Sequence, residues 1–203
     1  MVSLPDNLGI PLLVGFESKI IHLMCAKIDR DINYCLHCSH PLVIAYKFGA
    51  VRPICPECGW VYFADPKVAV AGLIVSDGRV LLVRRANDPQ RGLWTLPAGF
   101  IDAGEDPEFA LVRECLEETG LEVRIDRLLG VISGQEHPRG ANILIAYQAS
   151  IISGDLHADD DVDEAAFFFP DALPNLAFTT TEKILRKWVT DGLDQKHLRS
   201  YST

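Results

Sequence analysis

The chain has 203 residues, 48% of them apolar, and a formal net charge of −9. That length holds one sizeable core plus a small accessory module, and so high an apolar fraction excludes a disordered chain. The acidic balance argues against non-specific binding to nucleic acid or an anionic membrane. An anionic substrate would need a local reversal of the field, which a bound divalent cation provides.

In chain order, Leu8 to Phe16 is apolar but too short to span a bilayer, and it contains Pro11. No basic residue precedes it, so a secretory signal is not expected either. Residues 1–33 are read as a weakly ordered extension, with Met24 as an alternative start of translation.

Cys35-Leu-His-Cys38 is followed by sixteen residues and then by Cys55-Pro-Glu-Cys58-Gly59. Paired C-x2-C knuckles at this separation predict a Cys₄ zinc ribbon over residues 34–63. Disulfides or free buried thiols are the alternatives. Val43 to Val51 supplies a hairpin strand, and Gly59 suits a tight turn. Four thiolates close the shell without His37 or His40 and leave no open position for substrate, so this Zn²⁺ is expected to be structural. Cys25 and Cys115 are left over, which fits a reducing cytoplasm.

A joint at residues 64–67 leads to the main domain, expected over 66–192, with a tail at 193–203. Val68 to Val75 is a continuous apolar run and predicts a buried strand. Asp77-Gly78 predicts a tight hairpin, with Arg79 to Arg84 returning. After Gly92-Leu93-Trp94-Thr95-Leu96-Pro97-Ala98 comes the most informative stretch, residues 99–121. Asp106 as N-cap, Pro107 at the first helical position and Gly120 past the end predict a helix over 107–119. On it Glu114, Glu117 and Glu118 stand at i, i+3 and i+4, so three carboxylates share a face and repel one another unless a cation such as Mg²⁺ joins them. Phe109, Val112 and Leu116 form the stripe expected to face a core.

The same stretch matches G-x5-E-x7-R-E-U-x-E-E-x-G-U, U being apolar. Gly99, Glu105, Arg113, Glu114, Glu117, Glu118 and Gly120 fill the fixed positions, and Cys115 and Leu121 the apolar ones. The chain therefore resembles a Nudix hydrolase, and its lead-in resembles one too, which extends the likeness over most of residues 66–190. The resemblance implies an α/β/α sandwich with a mixed sheet, preceded here by the ribbon. It implies Glu114, Glu117, Glu118 and the Gly99 carbonyl as ligands of Mg²⁺ or Mn²⁺. Arg113 would orient the glutamates, and Glu105 would fix the loop.

Beyond the box, residues 122–132, 141–152 and 165–169 read as strands, with a polar loop containing His137 between the first two. Thr179, Thr180 or Thr181 caps a closing helix to about Thr190, with Ile184, Leu185 and Trp188 inward. The acidic run Asp159 to Glu164 reads as a solvated loop, except that the family often places an acid here against the metal. Glu164 is thus a candidate, and either Glu114 or Glu164 is the general base. Arg84 and Trp94 are candidate substrate contacts, with Phe100 and Tyr147 as further aromatics.

The chemistry implied is hydrolysis of a phosphoanhydride in a nucleoside diphosphate linked to X. Cys-Pro-x-Cys-Gly, Asp-Pro-Lys and Arg-Gly-Leu-Trp-Thr-Leu-Pro-Ala-Gly resemble the group with ADP-ribose and FAD pyrophosphatases, which release AMP. NADH pyrophosphatase is the alternative, although its S-Q-P-W-P-F marker is absent. A binding module that senses a nucleotide, its ribbon contacting nucleic acid or protein, is the alternative of another class. Between residues 34 and 60 only Lys47 and Arg52 are basic, which speaks against nucleic acid. The expected partner is a small nucleotide, with no membrane, and the family makes a homodimer a possible assembly.

Overall fold

The computed structural model describes residues 32–134, 136 and 140–200, without the side chains of 191–200. The expected extension, apart from its last two positions, and His137 lie outside the described residues. Two units are divided between Asp65 and Pro66. In the first, β1 (Val43–Lys47) and β2 (Ala50–Ile54) pair antiparallel. Phe48 and Gly49, with φ of 51° and 79°, make the turn whose twist matches that of the strands.

The second unit runs β3 (Val68–Ser76), β4 (Arg79–Arg85), β5 (Trp94–Thr95), β6 (Ala98–Phe100), α1 (Pro107–Thr119), β7 (Leu121–Ser133), β8 (Ile143–Gly154), β9 (Val162–Phe168) and α2 (Thr179–Ser200). The strands form one mixed sheet in the order β5-β4-β3-β8-β7, with β6 on β3 and β9 on β4. β3 and β8 are parallel, and the other pairs are antiparallel. Asp77 and Gly78, at φ 51° and 74°, close the expected hairpin. β5 and β6 are too short to show a period in sequence. β9 begins three residues before the expected Ala165, which puts Glu164 inside a strand. α2 continues past Thr190 to Ser200, in a stretch with no proline to stop it.

Alternation along the strands builds a core on each face of the sheet. Val70, Ile74, Leu81, Tyr147 and Ala149 pack with α1, and Ala71, Leu73, Leu82 and Ala146 pack with α2 through Ile184 and Leu185. The architecture is thus helix, mixed sheet, helix. α1 has the foreseen ends: the Asp106 carboxylate accepts from the amides of Glu108 (2.8 Å) and Phe109 (3.4 Å), and Gly120 is left-handed at φ 68°.

Its buried face is only in part the foreseen one: Val112 packs against the core, but its two companions do not. Phe109 is 73% exposed and Leu116 48%, whereas Ala110, Leu111, Glu114, Cys115, Glu118 and Thr119 are buried. Leu111, Cys115 and Glu118 also recur at helical spacing, and what selects them is close approach to β3. A Cβ on Gly72 would meet the Leu111 Cδ1 at 3.1 Å and the Cys115 Sγ at 3.5 Å. A glycine on the strand and a small thiol on the helix let the two backbones come together.

The cap of α2 differs as well. Thr180 and Thr181 are buried, and the Thr181 hydroxyl bonds that of Thr95 at 3.0 Å. The first amides of the helix donate instead to Glu136, Thr179 N to Oε2 at 2.6 Å and Thr180 N to Oε1 at 2.8 Å. A carboxylate distant in sequence thus satisfies the free donors at the positive end of the helix.

Candidate active site

The glutamates of α1 meet the loop that follows β6. Arg113 ties them together: its Nε and Nη2 grip both oxygens of Glu105 at 2.8 and 3.0 Å, and Nη2 also donates to the Phe100 carbonyl at 3.1 Å. Its Nη1 donates to Glu114 at 2.7 Å and to Glu117 at 3.0 Å. Glu105 in turn accepts from the Asp102 amide at 3.0 Å, so one bidentate pair fixes the loop and aims the guanidinium. The Arg113 bonds, with help from the Asp102 amide, lower the Glu105 pKa to about 2.

Gly99 is required by contact. A Cβ there would lie 1.9 to 2.2 Å from the Glu114 carboxyl atoms, so this carboxylate rests directly on the β6 backbone. Glu118, only 3% exposed, accepts from the Ala98 amide at 3.0 Å. Burial raises its pKa well above the usual carboxylate range; the Ala98 amide opposes this, and Asp161 and Glu114 add to it. Burial likewise raises Glu114, against the pull of Arg113. Two buried carboxylates with little positive charge around them could hold a hard cation.

Asp161 was not singled out in the sequence. It lies one residue before β9, and its carboxylate helps to raise the pKa of both Glu118 and Glu114. Five acids stand together in 159–164, and only the fold distinguishes this one. Glu164 is turned to Arg84, Nη1 to Oε2 at 2.5 Å, while the Arg84 Nε donates to Asp163 at 2.6 Å. Arg84 is therefore engaged by two carboxylates. Trp94 is 8% exposed, edge-on to Phe168 at 4.8 Å in the α2-side core, and Tyr147 is buried on the α1 side. Phe100 remains exposed.

In the first unit Cys35, Cys38, Cys55 and Cys58 present sulfurs all within 4.8 Å of one another. Both knuckles turn alike: Ser39 N donates to Cys35 O and Gly59 N to Cys55 O, with φ of 58° at Ser39 and 73° at Gly59. The Cys35–Cys58 and Cys38–Cys55 separations are 3.6 and 3.5 Å, near the edge of about 3.8 Å of a tetrahedron with Zn–S bonds of about 2.3 Å, and far from a disulfide. The cluster could hold zinc, as foreseen.

A model of the NUDIX domain family matches residues 65–191, more than half of the chain, so the chain belongs to the NUDIX family and is a hydrolase of that family. It is 44% identical over 128 residues to an ADP-ribose pyrophosphatase of Methanocaldococcus jannaschii, covering 63% of this chain and 75% of that one. It is 33% identical over 146 residues to an NAD-capped RNA hydrolase NudC of Chromobacterium violaceum, covering 71% of this chain and 52% of that one. The chain thus spans about half the length of that relative. A crystal structure of a NUDIX hydrolase from Nitrosomonas europaea superposes with a TM-score of 0.72 at 29% identity, covering 79% of this chain and 92% of that one. No described helix is long and apolar enough to cross a membrane.

Proposed function

We propose that the chain hydrolyses the phosphoanhydride of a nucleoside diphosphate linked to X, with ADP-ribose or FAD preferred and AMP as a product. The observation that carries this reading is that Glu114 rests on Gly99, Glu118 accepts from the neighbouring Ala98 amide, and Glu117 shares Arg113 with Glu114, with Glu105 holding that arginine. The likeness to an ADP-ribose pyrophosphatase supports the preference. Oxygen donors of this kind suit Mg²⁺ or Mn²⁺, which would be held by the three glutamates and the Gly99 carbonyl. When bound, the cation neutralises phosphate charge and lowers the pKa of a water.

The chain's own residues do the rest. Glu105 fixes Arg113; Arg113 orients Glu114 and Glu117; the Ala98 amide sets Glu118. The proton of the attacking water passes to a carboxylate, and Asp161 joins Glu114 and Glu164 as candidates for that base. Comparing the pH–rate profiles of D161N and E164Q separates them, because only loss of the base removes the acidic limb. The ribbon binds Zn²⁺ as a structural element, and the thiol of Cys115, outside it, fits a reducing cytoplasm.

The test is a panel of ADP-ribose, FAD, NADH, NAD and diadenosine polyphosphates with Mg²⁺ and Mn²⁺, with products identified. AMP released fastest from ADP-ribose or FAD is the expected result; no turnover of any of them refutes the reading. The relatives named NAD-capped RNA hydrolase NudC favour a substrate that contains the NAD moiety as a second reading, and preference for NADH or NAD in the panel would support it.

A further inference from the structure

Between α2 and the β7–β8 pair lies a cavity of about 440 Å³. Its floor is apolar, with Ala146, Ile184 and the indole of Trp188, and Arg127, Lys183 and Lys187 stand around it. Three cationic residues line this one cavity, the two lysines exposed at its edge, in a chain whose net charge is −9. Lys183 and Lys187 are one helical turn apart, so their ammonium groups repel each other unless an anion lies between them.

Among the described residues no ion pair relieves either lysine. The neighbouring Glu182 pairs with Arg186 at 3.7 Å, and Asp126 is engaged by Arg124 and Ser150. Arg127 donates to the Gln148 amide oxygen at 3.0 Å, which leaves its charge uncompensated. The cavity is also separate from the carboxylates. Adjacent residues of β8 face opposite ways: Tyr147 packs on the α1 side and Ala146 on the α2 side, where the cavity opens. The glutamates belong to α1.

We propose that this cavity is a second nucleotide site. It takes the ring of a nucleoside monophosphate against Trp188 and the aliphatic floor, and the phosphate on Lys183, Lys187 and Arg127. An indole beside aliphatic side chains offers a planar base a stacking surface, and three cationic residues around one cavity match a phosphate dianion. The volume is that of a small-molecule pocket, too little for a docked helix. The ligand is bound and not consumed, since among the described residues no carboxylate cluster faces it. The site goes beyond the hydrolytic reading and does not rest on it.

AMP is the probe, titrated calorimetrically into the zinc-loaded full chain with no Mg²⁺ or Mn²⁺ added. The expected result is one AMP per chain, an affinity about tenfold or more weaker in K183Q/K187Q, and adenosine weaker still than AMP. K183Q/K187Q should keep the wild-type melting temperature and its Mg²⁺-dependent turnover, and W188F should lose the AMP-induced change in tryptophan emission. Unchanged AMP affinity in K183Q/K187Q overturns the proposal, as does adenosine binding as tightly as AMP. Loss of AMP binding in E117Q with retention in K183Q/K187Q would place the nucleotide among the glutamates. Light scattering that shows a dimer dispersed by K183Q/K187Q, with no AMP bound by the wild type, would give the cavity to a second copy of the chain. Lack of turnover on every substrate of the panel would refute the hydrolytic reading and leave this one standing.

Discussion

The two candidate metal sites of this chain stand in opposite relation to the fold around them. In the first unit Val43, Ile44, Tyr46, Phe48 and Val51 are exposed, and among its described residues only Cys35, Pro53 and Cys55 are buried. There the ligands are the core. In the NUDIX domain two apolar clusters cover both faces of a seven-stranded sheet, and the carboxylates are set into one of them. A fold that stands without its metal can spend stability on burying charge, as Glu118 shows; a fold made by its metal cannot. The ribbon site should therefore be closed and inert, and the glutamate site open to chemistry.

The sharpest way to break this contrast is to strip the metals. Removing Zn²⁺ should cost the ribbon on the order of 10 kcal/mol, so hydrogen exchange over residues 34–63 should lose all protection while β3 to β8 keep theirs. A ribbon that stays protected would end the distinction. Next in size is E117Q/E118Q. Turnover should fall by about 10³-fold or more with circular dichroism unchanged, because the core does not depend on those charges. A variant that unfolds would mean that the carboxylates are structural after all.

G99A probes the contact between the two roles. The new methyl occupies the place of the Glu114 carboxyl, so we expect about 1–3 kcal/mol of destabilisation and a fall in kcat larger than any change in KM. The smallest effect belongs to E136Q, which should cost about 0.5–1.5 kcal/mol at neutral pH. Burial pushes the Glu136 carboxyl up, but the Thr179 and Thr180 amides and hydroxyls outweigh it and the pKa is lowered. A depressed folded-state pKa gives stability that is present above the ordinary value near 4.5 and lost as pH falls through the lower one. The difference in melting temperature between wild type and E136Q should therefore narrow in acid, and a constant difference would contradict the ionic cap.

Much of this was legible in the sequence wherever signals are local. Asp106, Pro107 and Gly120 bounded α1 to the residue, Asp77-Gly78 placed a hairpin, and the cysteine spacing gave a cluster whose sulfurs do converge. What failed depended on long-range approach. Two stripes on α1 have helical spacing, and only contact with Gly72 of β3 chooses the one with Leu111 and Cys115. Among five neighbouring acids, the start of β9 turns Asp161 toward Glu118, while register with β4 sets Glu164 opposite Arg84. Glu136 caps a helix more than forty positions away, and no local pattern encodes that.

The buried stripe of α1 also bears on time. Glu114 and Glu118 share it with Leu111 and Cys115, so the helix cannot release its carboxylates by fraying or rolling; it must leave the sheet. Their geometry then lasts as long as the native state does, and the amides of α1 should exchange with solvent at the rate of global opening, among the slowest in the chain.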